Sequence, residues 1–273
     1  MRRAERPLPL RHAVALGLLQ GPTELLPVSS SAHTALVPWL AGWRYADIDD
    51  DLRKGFEVAL HGGTAAALAL LAGGELAADA RSLRGSQRLV LALALAPAAA
   101  AGLVLGPRIQ RDLGGPLTIA GALAAGSAAM LAAELRAPGA GGRVFAEAGP
   151  LDGLALGLAQ AVALVPGVSR SGATISAARW RGFGRGDAYR LSWTVALPVI
   201  TGAAMLQGLR LRRAGVPEPL RAAMAAGAGA AFCSALAAGA LVRARAREWP
   251  LTPFAVYRCA LAVCVVLRAG ARR

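Results

Sequence analysis

Two apolar stretches of this chain are each interrupted at their centre by polar residues, and this limits the folds that the chain can adopt. They are residues 17–33, GLLQGPTELLPVSSSAH, and residues 157–174, GLAQAVALVPGVSRSGAT. Polar groups are costly to bury in lipid, so a membrane protein retains them where they have a role. At an offset of 140 residues the two stretches share the pairs Gly17/Gly157, Leu18/Leu158, Gln20/Gln160, Val28/Val168, Ser29/Ser169, Ser31/Ser171 and Thr34/Thr174. We therefore expect the rest of the chain to bring them together.

The composition predicts an integral membrane protein. Hydrophobic residues make up 55% of the chain, its mean hydropathy is +0.47, and the apolar residues occur in long blocks. The formal net charge of +14 would indicate nucleic-acid binding in a soluble protein. Here the arginines lie mostly between apolar blocks and at the chain ends, where lipid headgroups explain them better. We expect contact with membrane lipid and none with nucleic acid.

The cysteines do not indicate a disulfide framework or a zinc site. Cys233, Cys259 and Cys264 all lie in apolar segments, without CxxC or Cys/His spacing. The basic N-terminal segment runs directly into the first polar motif and has no clear small-residue cleavage site. A cleaved targeting segment is therefore not expected.

Each interrupted stretch predicts a re-entrant helical hairpin, at about 10–42 and about 150–182. The apolar run that precedes the first break is only about 11 residues long, too short for a hydrocarbon core of about 30 Å. Pro22, Pro27 and the serines break the first stretch, and Pro166-Gly167 breaks the second. Irregular backbone at membrane depth is tolerated only where protein or a water-filled cavity satisfies it.

Between and after the hairpins the sequence predicts full-length membrane spans near 55–73, 88–106, 116–135, 188–209, 219–242 and 251–268. We therefore expect a single integral-membrane domain, an all-α polytopic protein with a first repeat at 1–135, a linker at 136–149 and a second repeat at 150–273. Each half would contain one re-entrant helical hairpin and three transmembrane helices. Because three is odd, the halves would have opposite orientations, which is an inverted-topology repeat. The distribution of Arg and Lys over the loops does not decide the membrane orientation.

The first interrupted stretch carries a carboxylate, hydroxyls and an imidazole. Gln20 and Glu24 share one helix face and can hold a divalent cation or orient a water molecule; the alternative is a lone carboxylate at a helix end. Ser30 and His33 also share a face if a helix starts there, which suits a nucleophile and a proton shuttle. The alternatives are a serine that caps a helix and a histidine with a structural hydrogen bond.

The second interrupted stretch predicts an anion site around Arg170. A planar guanidinium at the turn of a membrane hairpin needs an anion, and phosphate matches its geometry. Ser169, Ser171 and Thr174 add hydroxyl donors, and a helix N-terminus adds N–H groups. An arginine that reaches to the membrane interface is the alternative, but hydroxyls on both sides of Arg170 favour anion binding. Together the stretches indicate phosphoryl transfer on a membrane-embedded substrate.

At these residues the sequence resembles the undecaprenyl-diphosphate phosphatases of the bacitracin-resistance (BacA/UppP) type. QGPTELLPVSSSAH is similar to that family's [E/Q]xxxE motif with its following serines and histidine, and PGVSRSGATIS is similar to its PGxSRSxxT motif. The resemblance covers essentially the whole chain, including FEVALHGGT at Phe56–Thr64 and PFAVYR at Pro253–Arg258. Two positions depart from the usual pattern. Gln20 removes one potential metal charge, and Ala32 replaces the usual glycine before His33.

The resemblance implies an enzyme that hydrolyses undecaprenyl diphosphate to undecaprenyl phosphate and phosphate, recycling the lipid carrier of peptidoglycan synthesis and protecting against bacitracin. It implies a site on the outer face of the bacterial cytoplasmic membrane, a divalent cation such as Mg²⁺ or Ca²⁺, a polyprenyl diphosphate substrate and a homodimer. The site predicted from the motifs and the resemblance has Ser30, His33 and Glu24 as catalytic groups, Arg170, Ser169, Ser171, Thr174 and Ser29 as phosphate ligands, and Glu24 and Gln20 as metal ligands. Attack by a serine and direct attack by water both remain open.

A transporter is the alternative function, because secondary transporters are also built from inverted repeats with broken helices. The chain would then be a flippase for a lipid phosphate, with Arg170 as the headgroup ligand and Glu24 as the proton site. Lipid phosphatases with a catalytic histidine in the distal motif do not fit, since no histidine follows Arg170.

Overall fold

The computed structural model describes residues 8–48, 50–82, 85–136, 141–214, 218–245 and 249–272, and helices dominate this part of the chain. Residues 137–140 of the predicted linker lie outside it. The helices are α1 (Leu10–Leu25), α2 (Ser30–Leu40), α3 (Asp50–Ser82), α4 (Gly85–Leu113), α5 (Pro116–Arg136), α6 (Pro150–Val162), α7 (Arg170–Trp180), α8 (Arg185–Ala214), α9 (Glu218–Arg245) and α10 (Thr252–Gly270). The predicted all-α class is confirmed.

Within the described residues, four helices are long and apolar enough to cross a membrane. These segments are Gln87–Gly106, Pro116–Arg136, Leu220–Arg245 and Thr252–Gly270. The other two predicted spans, 55–73 and 188–209, lie inside α3 and α8, which contain 33 and 30 residues. At about 1.5 Å per residue, both helices are longer than the hydrocarbon core is thick. The chain is a polytopic integral membrane protein.

The two interrupted stretches each form a pair of short helices. Helices α1 and α2 contain 16 and 11 residues, and α6 and α7 contain 13 and 11. At about 1.5 Å per residue each is shorter than the hydrocarbon core of about 30 Å. The residue before the second helix of each pair, Ser29 or Ser169, has a positive φ, 76° and 72° respectively. Both turns therefore place a serine in a conformation that non-glycine residues rarely adopt.

Close helix packing holds the two short pairs between the long helices. Helix α1 packs against α9 and α6 packs against α4, while α5 pairs with α10 and α3 with α8. A Cβ atom on Gly17 would come within 2.3 Å of the Gly227 carbonyl oxygen, and one on Gly157 within 2.3 Å of the Leu93 carbonyl oxygen. These two glycines, which correspond in the sequence overlay, are thus required for backbone contact between helices.

An ion-pair cluster lies outside the spanning helices, where the start of α6 meets the end of α7. Asp152, in the first turn of α6, accepts hydrogen bonds from Arg143 at 2.8 and 3.0 Å and from Arg181 at 2.6 Å. Burial alone raises the pKa of this carboxyl group, but the bonds from Arg143, the Gly149 N–H and Arg181 outweigh it and lower the pKa to about 2. The carboxylate is therefore ionised at neutral pH and anchors both ends of the α6–α7 pair.

Candidate active site

The carboxylate of Glu24, in the last turn of α1, joins the two short helix pairs. Its Oε2 accepts a hydrogen bond of 2.6 Å from the Ser30 hydroxyl, and its Oε1 accepts one of 3.1 Å from Arg170 Nη2. The Glu24 residue is only 8% exposed. Three residues predicted as site residues, from sequence positions up to 146 apart, therefore meet at one buried carboxylate.

The local fold explains why Ser30 and Arg170 approach the same point. Each is the first residue of a short helix, α2 or α7, and each follows a serine with a positive φ. The N-termini of these two helices carry Ser30 and Arg170 to Glu24. Helix N-termini present free N–H groups and favour negative charge, so the arrangement suits a phosphate group.

Gln20 and His61 lie near the same Glu24 oxygen, Oε2, that accepts the hydrogen bond from Ser30. Gln20 Nε2 is 3.4 Å from Glu24 Oε2 and 3.1 Å from His61 Nδ1, and His61 Nδ1 is 3.5 Å from Glu24 Oε2. His61 belongs to α3 and was not among the predicted site residues. Its only sequence signal was its position in the segment FEVALHGGT.

The other predicted phosphate ligands bind protein atoms. The Ser169 hydroxyl accepts from the Gly172 N–H at 3.2 Å, and the Ser171 hydroxyl donates to the Leu26 carbonyl at 3.0 Å. Thr174 is fully buried and its hydroxyl lies 2.7 Å from that of Ser192. The Ser29 hydroxyl is 3.3 Å from that of Ser31. The Ser169 hydroxyl caps α7, those of Ser171 and Thr174 join different elements, and that of Ser29 meets Ser31 without capping α2. A contact with phosphate stays a prediction for each of the four residues.

Among the described residues no hydrogen bond joins His33 to the Ser30 hydroxyl, although a proton shuttle would need one. His33 Nδ1 is 2.7 Å from the Ser29 carbonyl oxygen, and its Nε2 is 2.7 Å from the Tyr257 hydroxyl. Within the described part of the chain, Ser30 instead donates to Glu24. The sequence argument placed Ser30 and His33 on one helix face but gave no information about Tyr257, which belongs to α10. The hydrogen-bond acceptor beside the Ser30 hydroxyl is the Glu24 carboxylate.

Arg258 is a second α10 residue that sequence analysis missed. It is fully buried, and its guanidinium donates to the Ser127 hydroxyl at 3.1 Å and to the carbonyl oxygens of Leu123, Gly167 and Pro27 at 3.2, 3.0 and 3.4 Å. Pro27 and Gly167 belong to the turns of the two short helix pairs. Arg258 thus binds both turns and α5 through a single side chain. The only indication of Arg258 in the sequence was its place at the end of the PFAVYR segment.

Replacing Arg258 with methionine is expected to destabilise the protein strongly. The change keeps much of the side-chain volume but leaves the buried Pro27 and Gly167 carbonyl groups without this donor, and each unsatisfied group costs about 1–3 kcal/mol. We expect a loss on the order of 3 kcal/mol, measured as a lower Tm in detergent. Arg268→Met, on the exposed side of the same helix, is the matched control. Equal Tm values for the two variants would contradict the role of Arg258 as a tie between the turns.

A cavity of about 20 Å³ lies beside Glu24 and Arg170. Its lining combines polar and apolar residues, namely Glu24, Leu25, Leu68, Arg170, Ser171, Ser192, Trp193, Ala196 and Leu197. Arg170 Nη1 is buried and has no hydrogen-bond partner among the described residues. The guanidinium therefore has an unused donor, which fits an oxygen atom of an anion.

The residues around Glu24 fit a divalent cation that takes most of its ligands from the substrate. Among the described residues, no group of three or more His, Cys, Asp and Glu side chains is placed to hold a metal. Glu24 offers one carboxylate, and Gln20 and Ser30 offer further oxygens. Mg²⁺ is commonly held by one or two carboxylates together with substrate phosphates and water. The donor set suits such a cation but not one held by protein ligands alone.

Comparison with known proteins gives a consistent family match. A family model described as "Bacitracin resistance protein BacA" matches residues 13–264. The undecaprenyl-diphosphatase of Geobacter sulfurreducens is 38% identical over 91% of this chain and 94% of its own length. That of Geobacter metallireducens is 38% identical over 94% and 97%, and that of Thermomicrobium roseum is 35% identical over 93% and 96%.

Proposed function

The chain belongs to the family of the bacitracin resistance protein BacA, and from this premise we propose how its site works. It is an undecaprenyl-diphosphatase, an integral membrane enzyme that hydrolyses undecaprenyl diphosphate to undecaprenyl phosphate and inorganic phosphate. This reaction serves peptidoglycan synthesis, and the family name links it to bacitracin resistance. The comparisons do not favour the flippase alternative.

The contact of Glu24 with both Ser30 and Arg170 carries the mechanism that we propose. Glu24 accepts the proton of the Ser30 hydroxyl, and Ser30 Oγ attacks the terminal phosphorus. A bond forms between Ser30 Oγ and phosphorus, and the anhydride bond to undecaprenyl phosphate breaks. A phosphate monoester is already a stable anion near neutral pH, so its departure requires no strong general acid. Water then hydrolyses the phosphoserine and releases phosphate.

Arg170 is the group that we propose for charge stabilisation. Its Nη2 is paired with Glu24, and its unpartnered Nη1 is available to a phosphate oxygen. The N-termini of α2 and α7 add N–H groups at the same point. Fixed donors aimed at the transferring phosphoryl group are usually the largest contribution to such a reaction.

For the bound cation we propose Mg²⁺ or Ca²⁺, held by Glu24, Gln20 and the oxygens of the diphosphate. When bound, it supplies further neutralisation of phosphate charge. The donor chemistry around Glu24 supports this proposal, as does the single carboxylate, which leaves coordination positions for the substrate.

Replacing Glu24 with glutamine tests both roles of this carboxylate. The change is nearly isosteric but removes the proton acceptor and the charge. We expect phosphate release from a C55 diphosphate to fall by at least about 10²-fold, without stimulation by Mg²⁺ or Ca²⁺ after treatment with EDTA. Glu147→Gln, in the linker, is the control and should keep wild-type rates. If Glu24→Gln still responds to cations, the cation is held by the diphosphate alone.

For the architecture we propose the inverted-topology repeat, with the α1–α2 and α6–α7 pairs as re-entrant hairpins. The sequence overlay, the positive φ angles of Ser29 and Ser169, and the reciprocal packing of α1 on α9 and α6 on α4 support it. We also propose a homodimer in the bacterial cytoplasmic membrane with the site facing outside. Labelling of single introduced cysteines in intact cells would test the orientation.

A further inference from the structure

Helix α10 reaches the first hairpin through the hydroxyl of Tyr257. This hydroxyl lies 2.7 Å from His33 Nε2, and the two rings are stacked with 5.6 Å between their centroids and 8° between their planes. The Tyr257 residue is 47% exposed, whereas His33 is 2% exposed. The pair thus connects a lipid-facing helix to a buried residue on α2, three positions after Ser30.

The partners of His33 determine which ring nitrogen carries its proton. A carbonyl oxygen can only accept, so the Ser29 carbonyl, 2.7 Å away, requires the proton on Nδ1. In the neutral ring Nε2 is then an acceptor, and Tyr257 must be the donor. Both ring nitrogens are engaged in this arrangement, and Tyr257 holds the tautomer that Ser29 needs.

The peptide that His33 contacts is a strained one. Ser29 has a φ of 76°, and its carbonyl belongs to the peptide bond that leads into Ser30. In the second hairpin the corresponding residue, Ser169, caps its helix with its own hydroxyl. Ser29 makes no such side-chain cap bond, and the position that corresponds to His33 is Ala173. In the first hairpin, the His33 imidazole therefore holds the turn at Ser29 that precedes Ser30.

We propose that Tyr257 is a positioning residue for Ser30 and acts through His33. Tyr257 fixes the tautomer and the plane of the His33 ring, His33 Nδ1 holds the Ser29 carbonyl, and this sets the direction of the Ser30 hydroxyl toward Glu24. The inference rests on the proposed role of Ser30 in hydrolysis. It assigns His33 a structural hydrogen bond at the reacting turn instead of proton transfer to Ser30.

The first test replaces Tyr257 with phenylalanine. Loss of its hydroxyl should lower kcat about tenfold with little change in KM, because a small misplacement of a reacting group is enough for such a loss. Tyr189→Phe is the matched control, since the buried Tyr189 hydroxyl has no hydrogen-bond partner among the described residues. The double variant Tyr257→Phe/His33→Ala should be no slower than His33→Ala. Unchanged kcat in Tyr257→Phe, or additive losses, would overturn the proposal.

The second test compares His33→Asn with His33→Ala. The asparagine amide can place a donor where His33 Nδ1 lies, but it cannot transfer protons at neutral pH. We expect His33→Ala to lose about 10²-fold in kcat and His33→Asn to recover at least about half of that loss on a logarithmic scale. If the two variants are equally slow, although both keep the wild-type Tm, His33 transfers protons and the proposal is wrong.

A measurement that does not depend on activity separates this inference from the proposed function. The chain has three histidines, so the ¹⁵N spectrum of histidine-labelled protein in detergent is assignable with His33→Asn. We expect the Nδ1–H tautomer for His33 in the wild type and a mixture of tautomers in Tyr257→Phe. The Nε2–H tautomer in the wild type would overturn the inference. A correct tautomer in a protein that releases no phosphate would instead refute the proposed function.

Discussion

A Ser30→Ala variant is expected to be folded and nearly inactive. Its hydroxyl donates a 2.6 Å hydrogen bond to the Glu24 carboxylate, and loss of a bond to a charged group costs about 1.5–3 kcal/mol of stability. Loss of a nucleophile costs far more in rate, so we expect phosphate release from a C55 diphosphate to fall by at least about 10³-fold. Ser30→Thr keeps the hydroxyl and should be partly active. The initial rate of phosphate release from purified protein measures both effects.

Two observations decide whether Ser30 is the nucleophile. Ser31→Ala, the same change at the next residue, is the control and should stay within a few-fold of the wild-type rate. Rapid acid quenching during turnover with terminally labelled substrate should trap label on the wild-type chain and none on Ser30→Ala. A Ser30→Ala variant that keeps about a tenth or more of the rate would exclude covalent catalysis and leave direct attack by water.

An Arg170→Lys variant is expected to lose most of its activity although the charge is kept. Lysine can still pair with the Glu24 carboxylate, so we expect a normal Tm. Its donors all sit on one nitrogen, so the ammonium group cannot pair with Glu24 and also place a donor where Arg170 Nη1 lies. Removal of one fixed donor to a reacting oxyanion typically costs about 10²–10³-fold in kcat. We expect a loss of this size, measured as kcat for the C55 diphosphate.

The matched control for Arg170→Lys is Arg181→Lys, just beyond the C-terminal end of α7. Arg181 binds Asp152 at the entrance of the hairpin and is 41% exposed. Its replacement should change kcat by less than a few-fold, because lysine can still pair with Asp152. Turnover of Arg170→Lys near the wild-type rate would show that Arg170 acts only as a point charge and does not bind phosphate through two donors.

The sequence predicted the class of fold because its evidence is local. Runs of apolar residues set the length of a spanning helix, and the breaks at Pro22, Pro27 and Pro166 occur where short helices end or bend. The pairing of the two interrupted stretches also followed from the sequence, since Gly17 and Gly157 recur in the same frame. The structure adds the reason for these glycines, which is backbone contact with α9 and α4.

The candidate site was predicted in its residue types but not in its contacts. Glu24, Ser30 and Arg170 were expected together, and the structure joins them through one carboxylate. The expected partnership of Ser30 with His33 did not occur, because helix periodicity identifies which residues share a face but not which side chains from other helices approach that face. The Nε2 atom of His33 is instead hydrogen-bonded to Tyr257, a residue of α10 that lies 224 positions further along the chain.

By itself the sequence determined the membrane location, the all-helical class and the choice of residues predicted to bind phosphate, because composition, apolar run length and motif spacing are properties of neighbouring residues. Only the tertiary structure decided that Glu24 is the hydrogen-bond partner of Ser30, that Arg258 binds both turns and that Tyr257 lies against His33. These contacts join residues from different helices, and their geometry depends on how α5, α9 and α10 pack around the hairpins. The Arg258 side chain is stable in the interior because that packing supplies an acceptor for each of its three guanidinium nitrogens.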